Sequence, residues 1–400
     1  GDTAWVLTST ALVLFMTLPG LALLYAGLVN SKNVVSVLMQ HFALACMVSV
    51  IWVILGYSLA FSEGNEWIGG FSNIFMNAID VNSPTGSIPE SLFATFQMTF
   101  AIITPALMIG AFVERIKFSA MLIFLSMWLL VVYVPVTHWV WGGGILSSWG
   151  TMDFAGGIVV HATAGTAALV TALTLGKRRG FPKSITPPHS PILTMIGASM
   201  LWIGWFGFNA GSALGANGGA GMAMLVTHIS AATASLVWMF IEWRRFGKPS
   251  LKGIVTGMVA GLATVTPASG YIGVPGGLVL GFFGGLFCYL AVDYIRGKLK
   301  IDDSLDVFAV HGVGGILGTL LVAFLATSTF SGLGLAEGQT AVSQFFVQLK
   351  AVVLTVVWTS VFTYLILKIT SFIVPLRVDE QEEIEGLDLR SHGEKGYHSD

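Results

Sequence analysis

Apolar residues in this chain come in long unbroken runs, not in the mixed pattern of a helix or strand with one face in water. Eleven runs stand out, at 4–29, 34–60, 91–113, 118–138, 154–176, 190–211, 221–243, 253–269, 275–295, 306–328 and 344–371. A stretch of about 20 apolar residues, rising 1.5 Å each as a helix, crosses a hydrocarbon core about 30 Å thick. The pattern therefore predicts an all-α membrane protein of eleven transmembrane helices. The transmembrane unit covers 1–371, with a polar tail at 372–400.

The polar positions between the runs set the orientation. Eighteen of the 19 Lys and Arg fall in alternate inter-span loops and at the C-terminal end, among them Lys32, Arg115, Arg178, Arg245, Lys252 and Arg296. Only Lys350 lies on the other side. Basic loops stay cytoplasmic, so the N-terminus is expected outside and the C-terminus inside, which requires an odd number of spans. The loop at 61–90 holds Glu63, Glu66, Asp80 and Glu90 but no Lys or Arg. The acidic tail from Asp379 is too polar to span and belongs in the cytosol.

Composition removes the alternatives. Only 10% of the 400 residues are charged and 54% are hydrophobic, against about 25% charged in a soluble domain; the bilayer must be the solvent. A net charge of −2 suggests no nucleic-acid partner. Cys46 and Cys288 sit in apolar runs and read as small buried hydrophobes. The chain starts Gly-Asp without Met, which a removed signal peptide or a trimmed end would equally give.

Two halves, about 4–176 and 190–328, read as weak copies, with 344–371 as an extra last helix. LPGLALLYAGL at 18–28 echoes WIGWFGFNAGS at 202–212, and DFAGGIVVH at 153–161 echoes DSLDVFAVH at 303–311. Each half has five spans, so the halves enter the membrane from opposite sides: a five-plus-five inverted repeat, an architecture whose sites lie near the midplane. Eight helical residues rise about 12 Å. His161, counted from Asp153 at the outer end, and His311, counted from Asp303 at the inner end, both reach the middle.

A histidine in a span is costly and points to function, although a lone one is as readily a packing residue. Their repeat-related positions favour a functional pair for His161 and His311, since two neutral imidazoles can bond to each other and still offer polar edges to a solute. His138 reads as an ordinary interface residue, and His41 has no assigned part. Asp153 reads first as a helix cap and second as a negative charge favouring a cation near the outer mouth. Phe100 and Phe208 read as core aromatics, Trp141 as an interfacial anchor at a span end, and Ser212 lies at another outer span end.

Taken together, DFAGGIVVHATAG at 153–165, GWFGFNAGS at 204–212, GYIGVPGG at 270–277, DVFAVHGVGG at 306–315 and the tail phrase EGLDLRSHGEKGY resemble the ammonium transporter family (the Amt/Mep/Rh proteins), in its bacterial Amt branch. The resemblance covers essentially the whole chain. It implies a homotrimer with one pore per subunit in a bacterial cytoplasmic membrane. It matches Phe100, Trp141 and Ser212 to an outer ammonium-binding site, Phe100 and Phe208 to a stacked gate, His161 and His311 to twin pore histidines, and Asp153 to a buried acid near the outer site. It also implies a PII-type signalling protein as a partner at the inner face.

Transport of NH₃ from captured NH₄⁺ follows from these matches, with no cofactor and no enzyme activity. Three rivals stand beside it. One is an ammonium sensor signalling through the tail. Another is a channel for CO₂ or water. The third is an intramembrane metal hydrolase, for which two His and a distant carboxylate make a poor ligand set.

Overall fold

The computed structural model describes residues 1–397. Every apolar run is helical. The helices are α1 Asp2–Leu28, α2 Ser31–Phe61, α3 Glu90–Phe112, α4 Phe118–Ser148, α5 Gly157–Leu175, α6 Pro191–Gly211, α7 Gly218–Phe246, α8 Leu251–Val265, α9 Val274–Leu299, α10 Phe308–Leu325 and α11 Ala341–Ile373. Ten of them are long and apolar enough to cross a membrane.

α8, with 15 residues, is shorter than the run at 253–269. Thr266 still has helical backbone, φ −50° and ψ −51°, but Pro267 after it has no N–H to donate to the helix ladder. The chain turns there instead. α4 outlasts its run in the other direction: helix continues to Trp141, breaks at Gly142 and resumes for one turn at Ile145–Ser148. Gly143 takes φ +84° at this break, a conformation open to glycine. The strands among the described residues are a two-residue hairpin, Pro84–Thr85 against Ile88–Pro89, in the loop between α2 and α3.

Small residues set the helix contacts. A Cβ on Gly197 would lie 2.2 Å from the Leu24 amide, and one on Gly204 would lie 2.3 Å from Met16 Cβ, so α6 packs backbone to backbone on α1. α5 and α10 cross in the same way. A Cβ on Gly165 would meet Gly312 Cα at 2.3 Å, and one on Gly315 would meet His161 Cβ at 2.5 Å. Close approach of this kind is how helices associate where no water drives them together. Outward-facing positions are large and apolar, including Phe42, Phe240, Phe346 and Phe372.

The end of the molecule rich in basic residues is cross-tied. Arg178 pairs with Asp302 and Glu114, each at 2.8 Å, and burial of the Asp302 carboxyl is outweighed by Arg178, which holds it below its ordinary range. The fully buried Arg115 donates to Ser304 Oγ and the Asp302 carbonyl, both at 2.6 Å. The acidic tail, expected only to be too polar to span, folds back on this end as two short helices, Glu380–Glu385 and Leu387–His392. There the Asp388 carboxylate accepts the Ser36 N–H at 2.8 Å and the Asn33 side chain accepts the Leu387 N–H at 2.8 Å. Residues 398–400 of the tail lie outside the described residues.

Candidate functional site

A column of aromatic and imidazole rings runs through the centre of the bundle. At its top, Trp141 ends the main part of α4 half-buried and donates its indole N–H to the Asp153 carbonyl at 2.9 Å. Its ring meets Phe100 of α3 edge-on, with centroids 5.8 Å apart. Phe100 stacks on Phe208 of α6 at 4.3 Å and 19°. Both phenyl rings are fully buried. Ser212, one residue past α6, donates its hydroxyl to the Phe208 carbonyl at 2.8 Å, which leaves the oxygen lone pairs as acceptors.

Below the stacked rings lies His161, 6.1 Å from Phe208 and stacked on Trp205 at 5.4 Å and 13°. His311 follows at 5.3 Å and 17°, with the two Nδ1 atoms 3.3 Å apart. One ring must donate in that bond and the other accept, so a neutral pair has one free N–H and one free lone pair at its two Nε2 atoms. His161 Nε2 is buried with no partner among the described residues. Beyond His311 a cavity of about 30 Å³, bordered by Tyr25, Leu28 and Val310, leads toward the basic end.

Local backbone places both histidines. His161 lies in a wide helical turn, Gly157–Ala162, where its N–H reaches the Gly156 carbonyl five residues back at 2.9 Å. His311 lies in the corresponding wide turn, Phe308–Gly312. Such turns are uncommon and cluster at functional sites. Asp153 caps the first: its carboxylate accepts the N–H groups of Gly156, Gly157, Ile158 and Val159 at 2.6–3.1 Å. Burial raises the Asp153 carboxyl above its ordinary range, and these four donors work against that rise. Asp303 does the same work for the second turn through Phe308 N–H at 2.7 Å. With Oδ1 unpartnered and Asp306 nearby, burial pushes the Asp303 carboxyl up to about 7.

The structure thus brings Phe100, Trp141, Phe208, Ser212, His161 and His311 into one column and sets Asp153 beside its top. His138 lies outside the column. Both its ring nitrogens face carbonyl oxygens, Ala60 at 2.9 Å and Asn65 at 2.8 Å, so it ties the loop after α2 to α4. His41 packs edge-on against Tyr25 at 5.6 Å. Trp205 was not singled out among the many aromatics; the spacing of Trp205 and Phe208, one helical turn apart on α6, was the available signal. No cluster of three metal-ligating side chains exists among the described residues.

Fold and composition define an all-helical, multi-pass membrane protein. The chain belongs to the ammonium transporter family, whose model matches residues 4–397. It is 45% identical to the ammonium transporter of Aquifex aeolicus, over 99% of this chain and 93% of that one. It is 43% identical to the ammonium transporter of Bacillus subtilis, over 99% and 98%. Among solved structures, a sensor Amt protein superposes with a TM-score of 0.91 at 28% identity, covering 98% of both chains. Mep2 of Candida albicans gives 0.88 at 35%, covering 95% of this chain and 87% of the other.

Proposed function

We propose that in each subunit NH₄⁺ is captured under Trp141, gives its proton to water on the outer side of the Phe100–Phe208 stack and passes as NH₃ by His161 and His311. The observation that carries this reading is the column itself: π faces at the top, a closed pair of rings, then a buried imidazole pair. Ring faces and the Ser212 oxygen attract a cation, with cation–π contact contributing about 0.5–2 kcal/mol. An intact cation in the buried segment below would cost many kcal/mol, and leaving the proton behind avoids most of that. The imidazole pair then gives NH₃ one donor and one acceptor and links the two sides for a proton.

The same reading takes eleven helices as spans, with α8 completed by the turn after it, the N-terminus outside and the C-terminus inside. The transmembrane unit is 1–371 and the cytoplasmic tail 372–400. The inverted repeat is supported by the matched Asp-capped turns and by the reciprocal contacts of Gly165 with Gly312 and of Gly315 with Ala162. The reading includes a homotrimer in a bacterial cytoplasmic membrane, and a contact between subunits is supported by His228. It sits exposed well inside α7, its ring on Trp202 at 5.2 Å, and facing lipid there would be costly; a second copy would cover it. A PII-type regulator fits the inner face, where the folded tail borders a cavity of about 510 Å³.

Uptake of labelled methylammonium into proteoliposomes tests the outer site. Trp141→Leu is expected to raise the half-saturating concentration about fivefold, the loss of roughly 1 kcal/mol. Ser212→Ala should raise it less. Unchanged concentration dependence in both variants, with the protein still folded, would return Trp141 to an interfacial anchor.

A further inference from the structure

Lys252 entered the sequence reading only as one of the basic residues that orient the chain. Its position is more specific. It stands in the first turn of α8, half-buried. It borders three spaces at once: the small cavity directly below His311, the large cavity at the basic end, and a groove beside α9. The cavity below His311 is otherwise bordered by side chains such as Tyr25, Leu28, Val310 and Thr194, so Lys252 is the one Lys, Arg, Asp or Glu that borders it among the described residues.

The neighbouring charges are already taken. Arg178 is held by Asp302 and Glu114, and Arg296 by Asp306. The nearest acid on α7, Glu242, accepts both the N–H and the hydroxyl of Ser250 at 2.8 and 2.9 Å. No ion pair involves Lys252 among the described residues. Among the described residues its ammonium therefore has no paired carboxylate where the column opens toward the basic end.

We infer that Lys252 is a specificity-determining residue of the inner mouth: a fixed positive charge that keeps ammonium and other cations from dwelling below His311. This rests on the proposed NH₃ passage. Neutral NH₃ leaving the pore crosses the charged mouth freely, while the NH₄⁺ it becomes in the water beyond is repelled and does not block the exit. The charge changes occupancy of the mouth and not the equilibrium distribution of ammonium across the membrane.

Two measurements test it, both on the full chain with Cys46 and Cys288 replaced by Ala. In the first, Leu28→Cys provides a thiol that borders both the exit cavity and the inner cavity. Its reaction rates with an anionic and a cationic methanethiosulfonate are compared with and without Lys252→Met. A unit charge bordering the same cavities, at an effective dielectric roughly between 20 and 80, moves the two rates in opposite directions. The anionic-to-cationic ratio should fall roughly tenfold on losing Lys252 and only slightly in Lys252→Arg. The difference should shrink in high salt.

In the second, uptake of labelled methylammonium is measured from the outer face against increasing ammonium at the inner face. The inhibiting inner concentration should fall about tenfold in Lys252→Glu and severalfold in Lys252→Met, with Lys252→Arg like the wild type. An unchanged thiol-rate ratio, or a changed ratio with unchanged inhibition, overturns the inference. Failure of the underlying reading is distinct, because it shows as full ammonium current in His161→Leu/His311→Leu whatever the thiol-rate ratio at Lys252. Uptake at zero inner ammonium shows that each variant is folded.

Discussion

At the residue scale, what decides a side chain's role here is which partner it lacks. His138 has both nitrogens against carbonyls and so serves as a tether, whereas His161 keeps a buried nitrogen free and so can meet a solute. Spacing placed His161 and His311 at one depth, but nothing in the sequence told which of the 27 Phe would stack between Trp141 and the imidazoles. Ring stacking depends on helix rotation, which no single run encodes. Asp303 carries a prediction of its own. Its carboxyl is raised to about 7 from 3.8, so between those values the folded chain holds a proton that the unfolded chain does not, and stability rises as pH falls through 7. Thermal unfolding of purified protein should show the wild type gaining on Asp303→Asn by roughly 1 kcal/mol per pH unit below pH 7. Parallel curves for the two would mean that the carboxyl titrates as an ordinary one.

At the element scale, the helices were legible because about 20 consecutive apolar residues have one reading in a bilayer. Their ends were less so: Pro267 cut α8 short and α4 ran on to Trp141. The wide turns around His161 and His311 left no mark in the hydropathy pattern, since they replace one backbone bond by another without changing side-chain polarity. The crossing of α5 and α10 is the element on which the imidazole contact depends, and it leaves no room for a side chain at Gly165. Gly165→Ala is expected to destabilise the protein by about 1–3 kcal/mol, the usual cost of overpacking, and to lower ammonium uptake. Gly218→Ala, where the added methyl meets nothing within 4 Å, is the control and should melt like the wild type. Equal melting of both variants would contradict the tight crossing.

At the scale of the whole molecule, the distribution of Lys and Arg predicts how the chain is oriented, and the ion pairs at the basic end and the folded tail fill in what charge counting alone could not arrange. The docking of Asp388 on Ser36 was beyond reach of the sequence because it joins segments about 350 residues apart through one carboxylate and one amide. A cysteine introduced in 64–88 should react with a membrane-impermeant reagent from outside only, and one introduced at Gly393 from the cytosolic side only. The reverse pattern would exchange the two mouths and, with them, the parts assigned to Trp141 and Lys252.

The central claim is that ammonium passes as NH₃ along a column whose imidazole pair also connects the two sides for a proton. Current from reconstituted protein, recorded on jumps of NH₄⁺ and of K⁺, tests it most directly. In the wild type NH₄⁺ should evoke current and K⁺ none. In His161→Leu/His311→Leu no imidazole remains in the column to relay a proton, so the ammonium-evoked current should be lost while K⁺ stays excluded. Full ammonium current in that double variant, with K⁺ still excluded, would contradict the account and make the pair a packing feature.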